Sequence, residues 1–259
     1  MGTRGVHILT LAYFGCSMLV AADNPFVGTW KLNADESKFT GQQQKIEDLG
    51  GNKYKFSFGD DTDTIVADGT DQKTKYGNTW SVKQEGPNSW KSVFKRAGKV
   101  TSTSTWTISD DGNMFTSKAE GIRPDGSSFT NEFKAKRISG KSGLAGMWES
   151  TELKLSSPSD WEIKPYGSDG LSFTTPAEKE HLDLKFDGKD YADHGPRVAP
   201  GSTSSGRRID ERTIELTDKL KGKVMDTNEM KLSEDGKRLT LTVHNAGVEK
   251  PQIVVYDKQ

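Results

Sequence analysis

The feature that most constrains this chain is a stretch that occurs twice. Gly98 to Thr116, GKVTSTSTWTISDDGNMFT, returns as Gly222 to Thr240, GKVMDTNEMKLSEDGKRLT. Gly98-Lys99-Val100 aligns with Gly222-Lys223-Val224, and Ile108-Ser109-Asp110-Asp111-Gly112 with Leu232-Ser233-Glu234-Asp235-Gly236, both at one offset of 124 residues. Unrelated hairpins rarely keep a common offset over such a length, so the chain reads as one unit built twice. Divided in two, 259 residues leave each copy enough chain for a core of its own.

The local pattern is that of strands. Tyr54, Phe56 and Phe58 fall on one face and Lys53, Lys55 and Ser57 on the other, the period-two alternation of a half-buried strand. Trp80 with Val82, and Trp90 with Phe94, repeat the pattern across the turn-forming Glu85-Gly86-Pro87-Asn88. Asp111-Gly112, Asp125-Gly126, Asp187-Gly188 and Asp235-Gly236 supply the positive φ angles of tight hairpins. No window carries a helical period. The count is roughly eight to ten short strands per repeat in sequential antiparallel order, a meander that closes to remove its edges. The expected fold class is therefore all-β, with two tandem antiparallel up-and-down barrels. A two-sheet sandwich is the alternative, because strand count alone does not establish closure.

The expected boundaries are a signal peptide over 1–22, a first barrel over 23–138, a polar Gly/Ser joint over 139–143 and a second barrel over 144–259. Arg4 and His7 precede an apolar run, Ile8 to Val20, too short to span a bilayer comfortably, and Val20-Ala21-Ala22 offers small residues for cleavage. An uncleaved anchor is the other reading of that run, and a lipoprotein signal with a lipidated Cys16 is disfavoured by the bulky Tyr13 and Phe14 before it. On the signal reading the chain is exported to periplasm or medium without stable membrane insertion. Its only cysteine, Cys16, leaves with the signal, so no disulfide is available.

Gly28-Thr29-Trp30 and Gly146-Met147-Trp148, each opening a meander of barrel length, resemble the Gly-x-Trp first strand of the lipocalin-like (calycin) barrels. Phe26 to Asn33, Ser37-Lys38-Phe39 and the ending Val254 to Lys258 are similar to tandem secreted bacterial lipocalin-like proteins without an assigned activity. The resemblance implies that Trp30 and Trp148 plug one end of each barrel, with Arg137 and Lys258 as the closing basic residues. The Thr-Asp-Tyr signature and the disulfide of authentic lipocalins are absent.

Phase then selects candidate ligand contacts. Ser102, Ser104, Trp106 and Ile108 share a face, as do Phe115, Ser117 and Ala119. Trp80, Trp90, Ser92, Asn131 and Phe133 complete a mixed lining of aromatics and small polar groups, suited to one small, partly apolar ligand in the first repeat. The alternative there is a narrow barrel filled by its own side chains. In the second repeat Leu239, Leu241 and Val243 occupy the matching places and point to a filled core. Asp226 and Asn228 fit that core poorly: they sit at a mouth, pair with Arg207 or Arg208, or bind something.

Charge is balanced, 36 basic against 37 acidic residues without clustering, which argues against nucleic acid as a partner. There is no Gly-x-Ser-x-Gly elbow, His-Glu-x-x-His or phosphate loop, so no catalytic residue is assigned and no cofactor is expected. His181 and His244 fall on outward phases, and the Asp60 to Asp71 turns lack calcium-loop spacing, so no metal is expected either. The expected function is non-catalytic binding of a small molecule. The rivals are a structural or protein-interaction module with filled barrels, and an enzyme working at a barrel mouth.

Overall fold

The computed structural model describes residues 24–140, 142–156 and 160–259; the signal expected over 1–22, with Cys16, lies outside the described residues. Among the described residues the fold is all-β, with twenty strands. The first ten are β1 (Gly28–Leu32), β2 (Gln43–Asp48), β3 (Lys53–Phe58), β4 (Asp61–Val66), β5 (Gln72–Lys73), β6 (Thr79–Gly86), β7 (Ser89–Arg96), β8 (Lys99–Ile108), β9 (Met114–Ile122) and β10 (Ser128–Ser139). The second ten are β11 (Gly146–Leu155), β12 (Trp161–Tyr166), β13 (Gly170–Thr175), β14 (Glu180–Lys185), β15 (Tyr191–His194), β16 (Ser202–Asp210), β17 (Thr213–Leu220), β18 (Lys223–Leu232), β19 (Arg238–Asn245) and β20 (Gln252–Lys258). Among the described residues no helix is long and apolar enough to cross a membrane.

The strands form two ten-stranded antiparallel sheets, but the sheets are not the two sequence repeats. β1 leaves its own repeat and lies between β12 and β20, with Trp30 opposite both Trp161 and Lys258. Reciprocally, β11 lies between β10 and β2, where Trp148 faces Arg137 and Gln44. The two first strands have changed places. Residues 139–143, expected as the joint between barrels, instead connect neighbouring strands of one sheet, since Ser139 pairs with Met147 across them. The chain crosses between sheets at 33–42 and again after β11. The first crossing is pinned at both ends: Asn33 N donates to Val255 O at 2.8 Å on one sheet, and Gly41 N to Ser150 O at 2.8 Å on the other.

The exchange is possible because backbone pairing carries little sequence information, so either Gly-x-Trp strand completes either ladder. Each tryptophan then anchors its adopted barrel in the same way. Trp30 Nε1 donates to Phe26 O at 2.9 Å and Trp148 Nε1 to Leu144 O at 3.0 Å. Both indoles are buried, Trp30 among Leu171, Met230 and Leu239, and Trp148 among Phe115, Ile46 and Ala135. Burying an indole of 150–250 Å² contributes about 4 to 6 kcal/mol at ~25 cal/mol per Å².

The sheet made of β12–β20 and β1 closes into a barrel. The other runs from β4 to β5 and stays unpaired at that seam. There the side-chain amide of Gln72 stands in for a ladder partner, accepting from Val66 N and donating to Val66 O, both at 2.8 Å.

Candidate functional site

The interior of the closed barrel is graded from floor to mouth, because alternate residues of every strand point inward. At the plugged end Leu232, Leu239 and Tyr256 stand opposite one another across β18, β19 and β20. The next layer is Ile214, Met230, Leu241 and Val254. Above it come Leu216, Asn228 and Val243. The uppermost rung is polar: Ser204, Asp218, Asp226 and Asn245 lie in register across β16 to β19. It continues on β15 through Asp193, whose Oδ1 accepts from Ser204 Oγ at 3.0 Å.

Between floor and rung lies a cavity of about 720 Å³, walled by Met230, Leu241 and Val243 on one side and Trp161, Phe173 and Leu182 on the other. Its roof comes from the other sheet, where Phe58, Asp60, Asp61 and Tyr76 reach over the opening. The roof is fastened by Asp60 N, which donates to Ala246 O at 2.9 Å. Gly59 permits this approach. Its φ is +54° and a Cβ there would lie 2.2 Å from Ala246 O, so no other residue fits without moving the turn. Tyr76 OH and Lys75 Nζ both bond Asp61, and Arg96 Nη1 holds Tyr76 O at 2.7 Å.

The rung is strongly acidic for its burial. Asn228 Nδ2 donates to Asp218 Oδ2 at 2.9 Å and to Asp226 Oδ1 at 2.6 Å, so one amide serves two carboxyl groups. Burial, reinforced by the neighbouring Asp218 charge and a hydrogen bond with it, pushes the Asp226 carboxyl up to about 7. Burial also raises Asp193, against the lowering effect of its Ser204 bond, and raises Glu180 at the rim. The cations around the opening are engaged elsewhere: Lys219 with Asp190 at 2.6 Å, Arg197 with Glu178 at 3.1 Å, Lys223 with Asp60 O at 3.3 Å. His194, which stacks on His181 at 5.0 Å, is the positive-capable group that bears on Asp193. Among the described residues there is no group of three or more His, Cys, Asp or Glu side chains placed to hold a metal ion.

None of the residues expected to touch ligand lines this cavity. Trp80, Trp90 and Trp106 belong to the core of the first sheet. Trp80 stacks on Phe94 at 5.3 Å, lies 5.0 Å from Phe56, and donates from Nε1 to Ser92 Oγ at 2.9 Å. Trp106 lies 6.1 Å from both Trp80 and Phe115. Ser92 and Ser104 are buried opposite one another. Rings from neighbouring strands pack into the space beside these two hydroxyls, Trp80 on Ser92 and Trp106 in the same core. Ser117 and Phe133 pair in register, half-buried. Asn131 lines a separate pocket of about 500 Å³ with Ala119 and Leu155, and Ser102 one of about 190 Å³ beside Arg96. The sequence brings these residues into one sheet, but as its filling.

The converse holds in the second repeat, where a filled core was expected and the cavity is found. Of the readings open for Asp226 and Asn228, the mouth is the one observed, since Arg207 pairs with Glu215 at 2.7 Å and Arg208 covers the Phe186 ring at 4.8 Å. His244 is exposed as its phase requires, whereas the exposed His181 borders the cavity together with His194. Asp193, Ser204, Asp218 and Asn245 are the residues that sequence reasoning missed. Extending the Asp226 phase across neighbouring strands reaches three of them.

Compared with known proteins, the chain matches no family model, no curated protein sequence and no solved structure. What can be said of function rests on the cavity itself.

Proposed function

We propose that this is an exported, non-catalytic binding protein of lipocalin-like type, and that its ligand is small and partly apolar and sits in the closed barrel. The observation that carries the reading is the cavity of about 720 Å³, within the size range of small-molecule sites, with an apolar lower half beneath a ring of convergent polar groups. The lipocalin-like assignment draws support from the repeated plug: Arg137 lies 4.0 Å over the Trp148 ring and Lys258 5.1 Å from the Trp30 ring centre. Binding is favoured over catalysis because Ser204, the hydroxyl of the rung, donates to Asp193 and so is not activated by His181 or His194. Export rests on the sequence of residues 1–22. The filled interior of the first sheet favours a structural role for that half, as the roof of its neighbour's site.

Native mass spectrometry of the protein purified from its own source tests this. A small molecule should co-purify, be displaced by Val243→Trp, which fills the cavity, and survive Trp106→Ala in the other sheet. Loss on Trp106→Ala with retention in Val243→Trp would move the site out of the closed barrel.

A further inference from the structure

The geometry points to a ligand that carries a protonated amine on an apolar or aromatic body. This inference rests on the binding reading above and deepens it. Asp193, Asp218 and Asp226 converge at one level of the barrel, above walls formed by Trp161, Phe173 and Met230. Among the described residues no lysine or arginine forms an ion pair with any of the three, and the nearby cations already have partners. Three closely spaced carboxyl groups share one amide and one hydroxyl as donors and have no lysine or arginine against them, an arrangement that leaves room for a cation to bring both charge and further donors. An ammonium group supplies three N–H donors and a compensating charge together.

A second observation, independent of the acids, also asks for a ligand. Asn245 stands beside Asp226 in the same rung, and its Nδ2 is closed to solvent with no hydrogen-bond partner. It is a donor suited to an ether, hydroxyl or carbonyl oxygen near the amine. The apolar wall below sets the rest of the ligand: a ring or short chain between the Trp161 and Phe173 side and the Met230 and Leu241 side. The wrong heads are excluded by the same groups. A carboxylate or phosphate placed at this level would meet like charges in a poorly hydrated site.

Three probes with one body isolate the head: phenoxypropylamine, phenoxypropanol and phenoxypropanoate, titrated calorimetrically into the full chain. The amine should bind about tenfold or more tighter than the alcohol, as a charge-assisted contact allows, with the carboxylate weakest. Asp218→Asn and Asp226→Asn should bring the amine down to the alcohol's affinity, read as the ratio between the two probes in each variant. Neither change threatens the fold, because each removes repulsion between adjacent carboxyl groups. If the three probes bind alike, or if the asparagine variants keep the preference for the amine, the cation inference fails and cavity binding stands. If no probe binds, the cation inference fails, while cavity binding is decided separately by the co-purifying molecule and its displacement in Val243→Trp.

Discussion

On β6, β7, β8 and β9 the first sheet carries Trp80, Phe94, Ser102 and Gly121 in register; exactly matched positions 124 residues later on β16 to β19 carry Ser204, Asp218, Asp226 and Asn245. Even the irregularity is conserved between copies, since register shifts fall after Phe94 and after Asp218. The backbone is the same and the contents are opposite. One rung is closed by a stacked indole and phenyl pair, the other by carboxyl groups around a space. The duplication therefore kept the hydrogen-bond ladder, which tolerates any side chain, and let the lining diverge. One copy became a solid support and the other a vessel, and the support's β3–β4 turn covers the vessel's opening.

The strand exchange makes this comparison sharpest, because it assigns each plug to the other repeat's barrel. Trp30→Ala should cost about 3–5 kcal/mol, as for deletion of a large buried aromatic. The damage should fall on the closed barrel. Hydrogen exchange followed by mass spectrometry should show lost amide protection in β12 and β20, which flank β1. Protection lost instead in β2 and β10 would mean that Trp30 plugs its own repeat and that no exchange has taken place.

The next test compares full with hollow. Ser104→Phe forces a ring into the packed space beside Trp106 and should cost about 1–3 kcal/mol by overpacking. Val243→Phe places the same ring over the cavity and should change stability by less than about 1 kcal/mol, since it meets no packed neighbour. Chemical denaturation of both variants reads the difference. Equal costs would contradict the contrast between the two interiors.

Much of the fold was legible in the sequence, and the reason is local. Asp-Gly turns and period-two alternation fix strands through short-range chemistry, so the all-β class, the duplication and the strand phases follow from residues such as Asp111-Gly112 and Asp235-Gly236. The exchange was not legible, because Gly28-Thr29-Trp30 and Gly146-Met147-Trp148 offer either barrel an equivalent ladder and an equivalent indole. The cavity of the closed barrel was not legible for a related reason. Ser92 on β7 and Ser102 and Ser104 on β8 look like vacant space when each strand is read alone, but the volume of a barrel is shared among strands, and Trp80, Phe94 and Trp106 pack into the core beside them. Leu239, Leu241 and Val243 look bulky in their own strand, yet Leu239 lies at the floor while Leu241 and Val243 stand on a cavity wall, with open space between them and the wall of Trp161, Phe173 and Leu182.

The acid rung predicts a pH-dependent asymmetry between the copies. Asp226 has its folded value raised above the ordinary carboxylate range, so its contribution favours the native state at low pH and is lost as pH rises towards about 7. The groups facing it are Asp218, Asp193 and Asn228, none of them cationic. Asp226→Asn should therefore match the parent near pH 4 and exceed it at pH 8. Allowing for partial solvent screening of the group, the gain should be about 2–4 °C in Tm. A scanning-calorimetry difference that stays flat with pH would show that the carboxyl is not perturbed. The corresponding change at Ser102 should have no such profile.

The smallest difference separates the two plugs. Arg137 stacks on Trp148 and also donates Nε to Gly112 O at 2.6 Å, Nη1 to Ala145 O at 2.7 Å and Nη2 to Gly143 O at 2.6 Å. Lys258, over Trp30, makes one bond of 3.2 Å to Pro25 O. The planar guanidinium thus seals its end with a ring contact and three carbonyl contacts, which an ammonium cannot reproduce from the same position. Arg137→Lys should cost about 1 kcal/mol, and Lys258→Arg should change stability by no more than a few tenths, because only the first removes bonds that exist. Thermal denaturation of the two variants decides it. If Lys258→Arg stabilises as much as Arg137→Lys destabilises, the plugs are interchangeable and the asymmetry of the molecule is confined to its interiors.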